Sequence, residues 1–247
     1  VLEHTFVHIP GIGSKTEQGI WSRGLLTWED FLRYEGEVFS GERDRFIRRE
    51  LEASQAHRED LDFFWQRLPP SEKWRLYAAF QQQVVYLDIE TTGSFQGVDE
   101  ITLIGIYDGQ QVRTFINGST LEEFETALSP EALLITYNGT GFDLPVIRRW
   151  FRHLHLPPAH IDLRYLLQRL GYRGGLKAIE KQVGIARDSD LDGLDGFDAV
   201  MLWKAYQWGD EPSLERLIRY NTLDIVNLEP LMEICFRKLK NALGTFP

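Results

Sequence analysis

VVYLDIETTG occupies residues 84 to 93. Val84, Val85, Tyr86, Leu87 and Ile89 are the apolar, β-branched and aromatic types that fill a sheet interior, so the stretch predicts a buried strand over 84–90. Two acids interrupt it. Side chains two apart on a strand share a face, so Asp88 and Glu90 stand side by side at the strand's end. Each repels the other, and both lose hydration on burial. Such a pair is tolerable where it faces cations.

Downstream, the pattern predicts further strands at 101–107, 111–116 and 133–136, the first two joined as a hairpin through Tyr107-Asp108-Gly109-Gln110. Helices are expected at 120–128, 143–154, 163–170, 175–183, 197–207, 212–218 and 221–239. Strands first, with helices interleaved and following, predict an α/β domain with a mixed sheet over residues 81–247. Residues 1–80 read as a small all-helical domain. There Thr27-Trp28-Glu29-Asp30 resembles a capping box, and Ser40 is placed to cap a long helix running to about Leu68. Pro69-Pro70-Ser71 stops that helix and starts another. The basic run Arg43, Arg45, Arg48 and Arg49 reads as a solvated helix face.

Other acids join the first two. In ITYNGTGFDLPVI, residues 135–147, a strand ends, a polar turn follows, and Asp143 precedes Pro145 at a helix N-terminus. In RYNTLDIVNL, residues 219–228, Tyr220 and Asp224 lie four apart on one helix face. Taken singly, Asp143 reads as an N-cap and Asp224 as a surface acid. Asp162, in HIDLRYLL, is expected to be a helix cap and not a ligand. Together Asp88, Glu90, Asp143 and Asp224 supply four carboxylates from three segments. Four anions cannot converge in a dry pocket without neutralisation, and hard divalent ions such as Mg²⁺ or Mn²⁺ prefer carboxylate oxygen. Two such ions can hold the attacking and leaving oxygens of a phosphoryl displacement.

YLDIETTG, YNGTGFDLP and YNTLD resemble, in order, the three motifs of the DEDD superfamily of 3′→5′ exonucleases, which have an RNase H-like fold. The second is similar to the YNxxxFDxP form of family B polymerase proofreading domains, and the tyrosine four residues before the last Asp is the DEDDy variant. IPGIG and GGLKAIEKQVGI extend the resemblance to the YprB-like group of bacterial RNase H-like proteins. The resemblance implies an RNase H-like mixed sheet flanked by helices. It implies that Asp88, Glu90, Asp143 and Asp224 hold two divalent ions, Asp88 bridging both, with Asp224 on the second. Tyr220 would orient the attacking water. Thr91, Thr92 and Asn138 would lie near the 3′-terminal nucleotide, and Phe142 against a base or sugar. Thr91 and Thr92 are equally explained by strand propensity, and Phe142 by core packing. The products would be nucleoside monophosphates from single-stranded 3′ ends.

Near the start, HIPGIGSKTEQGIWSRGL, residues 8–25, fits a helix-hairpin-helix element. Gly11 and Gly13 permit a tight turn with exposed amides, Ile9, Ile12, Ile20 and Trp21 pack the hairpin, and Lys15 stands beside a phosphate-binding helix start. Such elements grip duplex DNA without reading sequence, which favours DNA over RNA as the polymer. A contact to another protein is the alternative for this hairpin. The run DSDLDG, residues 188–193, begins like a calcium loop, but its twelfth position is Ala199 where a bidentate Glu is needed, so it reads as a solvated acidic loop.

The formal net charge of −10 disfavours a broad electrostatic grip on nucleic acid and leaves room for a local one. A single cysteine, Cys235, forms no internal disulfide. No apolar run approaches the roughly 18 residues of a membrane span, and no signal pattern opens the chain. A cytoplasmic protein without membrane contact is expected. The rival readings are the same site acting on RNA, and a nucleic-acid-binding or assembly module without turnover. The retention of every ligand position argues against the module.

Overall fold

The computed structural model describes residues 1–93, 99–188, 190–191 and 193–244. The chain divides into two compact units, Val1–Gln81 with Phe236–Pro247, and Gln82–Cys235.

The first unit is helical: α1 (Ser14–Trp21), α2 (Trp28–Arg33), α3 (Gly41–Ala56) and α4 (Leu61–Arg67), with 3-10 segments at Leu2–His4 and Pro70–Leu76. The capping box forms as expected, Asp30 N donating to Thr27 Oγ1 at 3.1 Å and Thr27 N to Asp30 Oδ2 at 2.7 Å. The long helix expected from Ser40 to Leu68 is instead two helices. Asp60 accepts from Phe63 N at 3.0 Å and so restarts the chain as the N-cap of α4. A short acidic side chain competes for local amides in this way, which favours a cap over a helix interior. Trp28 and Phe64 stack at 5.8 Å in the core, and Phe236 meets Trp74 edge-on at 5.8 Å. Ile9, Ile12, Ile20 and Trp21 are buried, whereas Gly11 and Lys15 are exposed. The turn before α1 is preceded by the three-residue Leu2–His4 segment and not by a full helix. The arginine run is only partly a solvated face: Arg48 donates to the carbonyls of Leu32, at 2.5 Å, and Tyr34, and Arg43 lies 4.4 Å over Phe39.

The second unit holds β1 (Val84–Thr91), β2 (Ile101–Tyr107), β3 (Val112–Ile116), β4 (Leu133–Thr136), α5 (Asp143–Trp150), β5 (His160–Asp162), α6 (Leu163–Arg169), α7 (Leu176–Val183), α8 (Gly196–Gln207), α9 (Glu211–Val226) and the start of α10 (Leu228–Ala242). The sheet order is β3-β2-β1-β4-β5. β1 pairs antiparallel with β2 and parallel with β4, and β4 pairs parallel with β5. This is the mixed sheet flanked by helices that the strand pattern predicts. Three differences stand out. Residues 121–126 form a 3-10 segment and not an α-helix. A fifth short strand, β5, joins the four expected and ends at Asp162. The last two helices divide at Asn227, because Leu217, Tyr220, Asn221, Asp224 and Ile225 form one unbroken buried stripe on α9.

Alternation along β1 separates two cores. Leu87 and Ile89 pack with Ile104, Ile106, Val146 and Ile147, on the face covered by α5. On the other face, Leu103 packs with Ala199, Trp203, Leu217 and Tyr220 of α8 and α9. Asp88 and Glu90 belong to that second face by the period of two.

Candidate active site

β1, β4 and β5 run parallel, so their C-terminal ends open at one edge, where open α/β sheets usually bind ligands. The carboxylates gather there. Register shifts between Glu90 and Thr91, a bulge of the kind found beside functional sites. Asp88, Glu90 and Asp224 bring one oxygen each within 4.8 Å of one another. Asp143 opens α5 and is anchored differently. β4 pairs with β1 only through Tyr86, and beyond that point Asp143 Oδ1 accepts from Ile89 N at 3.2 Å. Glu90, Asp143 and Asp224 are 7%, 3% and 6% exposed, and Asp88 is half-buried. All four line one cavity of about 900 Å³.

Burial is the first cause that raises the pKa of each of these acids. The charges of Asp143, Glu90 and Asp224 push Asp88 up further, and Asp224 does the same to Glu90. Asp143 is pushed up to about 7 by burial, with Asp162 and Asp224 adding to it and its backbone hydrogen bonds opposing. Tyr220, 4% exposed, is also pushed up, by burial and then by Asp224, Glu90 and Asp88, so it holds its proton.

Three polar groups meet the cluster that reading the motifs did not single out. Asn221 Nδ2 donates to Asp88 Oδ2 at 2.9 Å and Glu90 Oε1 at 3.3 Å, while its buried Oδ1 has no partner among the described residues. It fits because residue 105, opposite Asp88 in the ladder, is glycine: a Cβ there would stand 1.9 Å from Asn221 Oδ1. Lys177 donates to the Tyr220 hydroxyl and the Leu194 carbonyl, its Nζ 4.0 Å from the Tyr220 ring centre. Arg187 donates to Asp224 and, at 2.5 and 2.7 Å, to Glu180. Asn221 was legible in helical spacing, one residue after Tyr220 and three before Asp224. Lys177 and Arg187 lie in other segments and gave no periodic signal.

Of the residues expected near the nucleotide, Thr91, Asn138 and Phe142 line the cavity. Thr92 does not line it; its hydroxyl accepts from Glu100 N at 3.1 Å, closing the ends of the loop between β1 and β2. Asp162 is the N-cap of α6, accepting from Arg164 N at 3.1 Å. It also accepts from Asn138 N and Thr140 N at 2.8 and 3.1 Å, and so fixes the turn that carries Phe142. In the 188–193 run, Ser189 and Asp192 lie outside the described residues. Asp188 and Asp190 are exposed, as expected of a solvated loop, and pair with Arg219 at 3.3 and 2.7 Å.

The chain belongs to the RNase H superfamily: the family model RNase_H_2 matches residues 85–236. It has the RNase H-like fold. No curated protein matches the chain. Among solved structures it is similar to the family B DNA polymerase of Pyrobaculum calidifontis, with 16% identity and a TM-score of 0.49 over 61% of this chain and 24% of the polymerase. It is similar to RNase D of Escherichia coli, with 18% identity and a TM-score of 0.42 over 71% of this chain and 48% of RNase D. NrnC of Brucella melitensis shares 20% identity, with a TM-score of 0.47 over 67% of this chain and 78% of that one. The chain thus spans about a quarter of the polymerase and about half of RNase D. No helix among the described residues is long and apolar enough to cross a membrane, and Cys235 is buried.

Proposed function

We propose that this protein is a divalent-metal-dependent 3′→5′ exonuclease of the DEDDy type that shortens nucleic acid, DNA foremost, and releases nucleoside monophosphates. The observation that carries this reading is the convergence of Asp88, Glu90 and Asp224 oxygens within 4.8 Å, in one cavity with Asp143 and Tyr220. The donor set fits two hard cations: it is all carboxylate, buried apart from the half-buried Asp88, and met at close range, among the described residues, by Lys177, Arg187 and the Asn221 amide. Asp88, Glu90, Asp143 and Asp224 would hold the ions. When bound, Mg²⁺ or Mn²⁺ supplies Lewis-acid activation of water and neutralises charge developing on the phosphate.

The chain's own residues do the rest. Tyr220 keeps its proton and accepts from Lys177, so it orients water as a hydrogen-bonding post and does not act as the base. Phe142, 36% exposed in the cavity, offers a face for the terminal base or sugar. Asn138 and Thr91 border the same space. Water attacks the terminal phosphorus, the bond to the preceding 3′ oxygen breaks, and that oxygen leaves with a proton as the new 3′ hydroxyl. The 3′→5′ polarity and the DNA preference rest on the motif resemblance and on the hairpin at Gly11, Gly13 and Lys15.

The test is a time course on 5′-labelled single-stranded DNA, duplex DNA and RNA, with Mg²⁺, Mn²⁺ or chelator, beside Asp88→Ala. The expected result is a metal-dependent ladder shortening from the 3′ end of DNA and absent in the variant. A ladder on RNA alone would move the substrate to RNA. No ladder on any polymer, with metal still bound, would leave a binding module.

A further inference from the structure

The cavity that holds the carboxylates is not uniformly acidic. Arg164 and Arg173 also line it, and they are the cationic residues among its described lining. Both are exposed, in a chain whose net charge is −10. Arg164 is the second residue of α6, just past the end of β5. It donates to Asn138 Oδ1, which ties it to the turn that carries Phe142. Arg173 follows α6 and makes no ion pair with any described residue. Gln168, one turn of α6 after Arg164, lines the same wall. Neither arginine is used by the chemistry described above.

Their place in the sheet sets the scale. β1 carries Asp88 and Glu90, and β5 leads into Arg164, with β4 between them. Two strand spacings are about 10 Å, more than one phosphate step along a nucleic-acid strand. A strand with its end at the carboxylates can therefore bring another phosphate to this wall. Only one direction supplies it. A 3′-hydroxyl end has no phosphate beyond the scissile one, so any second phosphate in the cavity lies on the 5′ side.

We propose that Arg164 and Arg173 form a subsite for the backbone phosphate 5′ to the scissile bond. The wall then recognises the substrate as a chain, whatever its bases, and separates polymers and 5′-phosphorylated dinucleotides from isolated phosphodiesters. This rests on the exonuclease reading for its direction along the strand. Guanidinium suits the task because its planar fork pairs with two phosphate oxygens at once.

The experiment uses two readouts on the full chain. One is anisotropy of a fluorescein-labelled single-stranded oligonucleotide in chelator, across a salt series, which needs no turnover. The other is turnover of that oligonucleotide and of the p-nitrophenyl ester of thymidine 5′-monophosphate, which carries the scissile phosphate alone. Arg164→Gln and Arg173→Gln are each expected to weaken oligonucleotide binding about tenfold and to flatten the salt slope by about one. KM for the oligonucleotide should rise in parallel with kcat held, and kcat/KM on the ester should stay at the wild-type value. Arg164→Lys should keep the salt slope. Arg152→Gln, an exposed charge outside the cavity, serves as the control. Unchanged affinity in both glutamine variants, or losses matched by Arg152→Gln, would overturn the subsite. An equal fall of kcat on both substrates would also overturn it, showing that Arg164 only props the Asn138 turn. If binding depends on the two arginines while no substrate is cleaved, the arginine wall stands as a phosphate-binding surface, and the exonuclease reading fails together with the wall's assignment to the 5′ side.

Discussion

Each unit of this chain buries a group of acids, and the two groups are built to opposite ends. In the helical unit, Glu17 and Glu72 close on Arg75. Arg75 donates to both Glu17 oxygens at 2.9 Å and to Glu72 at 2.8 Å. Glu17 also takes the amides of Phe6 and Val7 at 2.7 and 3.2 Å. Hydrogen bonding is dense, and the guanidinium and both acids are nearly inaccessible. In the sheet unit, four acids line one cavity and each takes few hydrogen bonds from the protein. One group is closed by the protein's own cation. The other leaves carboxylate oxygen facing open space. A buried acid therefore says little by itself; what closes its hydrogen bonds separates a structural pair from a site waiting for a ligand.

Removing one charge from each group breaks the comparison most directly. Asp88→Asn should cut exonuclease turnover by about a thousandfold or more, since a metal clamp supplies several kcal/mol of transition-state stabilisation. It should leave the melting temperature in chelator unchanged or higher, because repulsion within the cluster falls. Mn²⁺ should raise the wild-type Tm and not that of the variant. A variant that melts much lower in chelator would make Asp88 structural. Arg75→Met is the counterpart. It removes the cation that Glu17 and Glu72 share and should cost roughly 3–5 kcal/mol in chemical denaturation. Turnover per folded molecule should hold. A loss under 1 kcal/mol would mean that water reaches the triad.

A smaller effect sharpens how the open group is kept in order. Gly105→Ala places a methyl group 1.9 Å from Asn221 Oδ1, so the amide must leave the Asp88–Glu90 pair or the ladder must shift. Overpacking of this kind costs about 1–3 kcal/mol. In an Asn221→Ala background the same substitution should cost less, and the difference measures the coupling. Additive costs would show that Asn221 does not respond to residue 105.

Much of this architecture was legible in residue patterns, and the failures share a cause. β1 to β4 announce themselves because alternating or fully apolar runs have few other uses, and Asp88 with Glu90 is conspicuous against them. Asp143 and Asp224 needed the company of motifs, because a lone acid at a helix start or on a helix face has a common structural use. Gly105 looked like any strand glycine; only the side chain across from it gives it a reason. Lys177 and Arg187 reach the cluster from the α7 region, and such tertiary contacts leave no periodic trace. Thr91 and Thr92 share their chemistry, so sequence alone does not separate them; Thr91 lines the cavity, and the Thr92 hydroxyl accepts from Glu100 N. The break at His57–Asp60 was hidden by a helical pattern that continues across it, Asp60 outweighing the period.

The smallest expected effect concerns a division of labour between the two units. Lys15, Arg23 and Arg43 line a shallow cavity of about 410 Å³ beside the start of α1. Lys15 is exposed there and Gly11 turns with φ at +80°, which presents backbone to solvent. If this face holds duplex phosphates, Lys15→Ala should weaken duplex DNA binding several-fold and lower the salt slope by about one. Cleavage of a short single strand should proceed at the wild-type rate, since the carboxylates and the arginine wall are untouched. That pattern would assign grip to the helical unit and chemistry to the sheet unit. Equal losses on duplex and single strand would instead show that this face also binds single strands. No change in either would leave the N-terminal turn without a nucleic-acid role and favour its use as a protein contact.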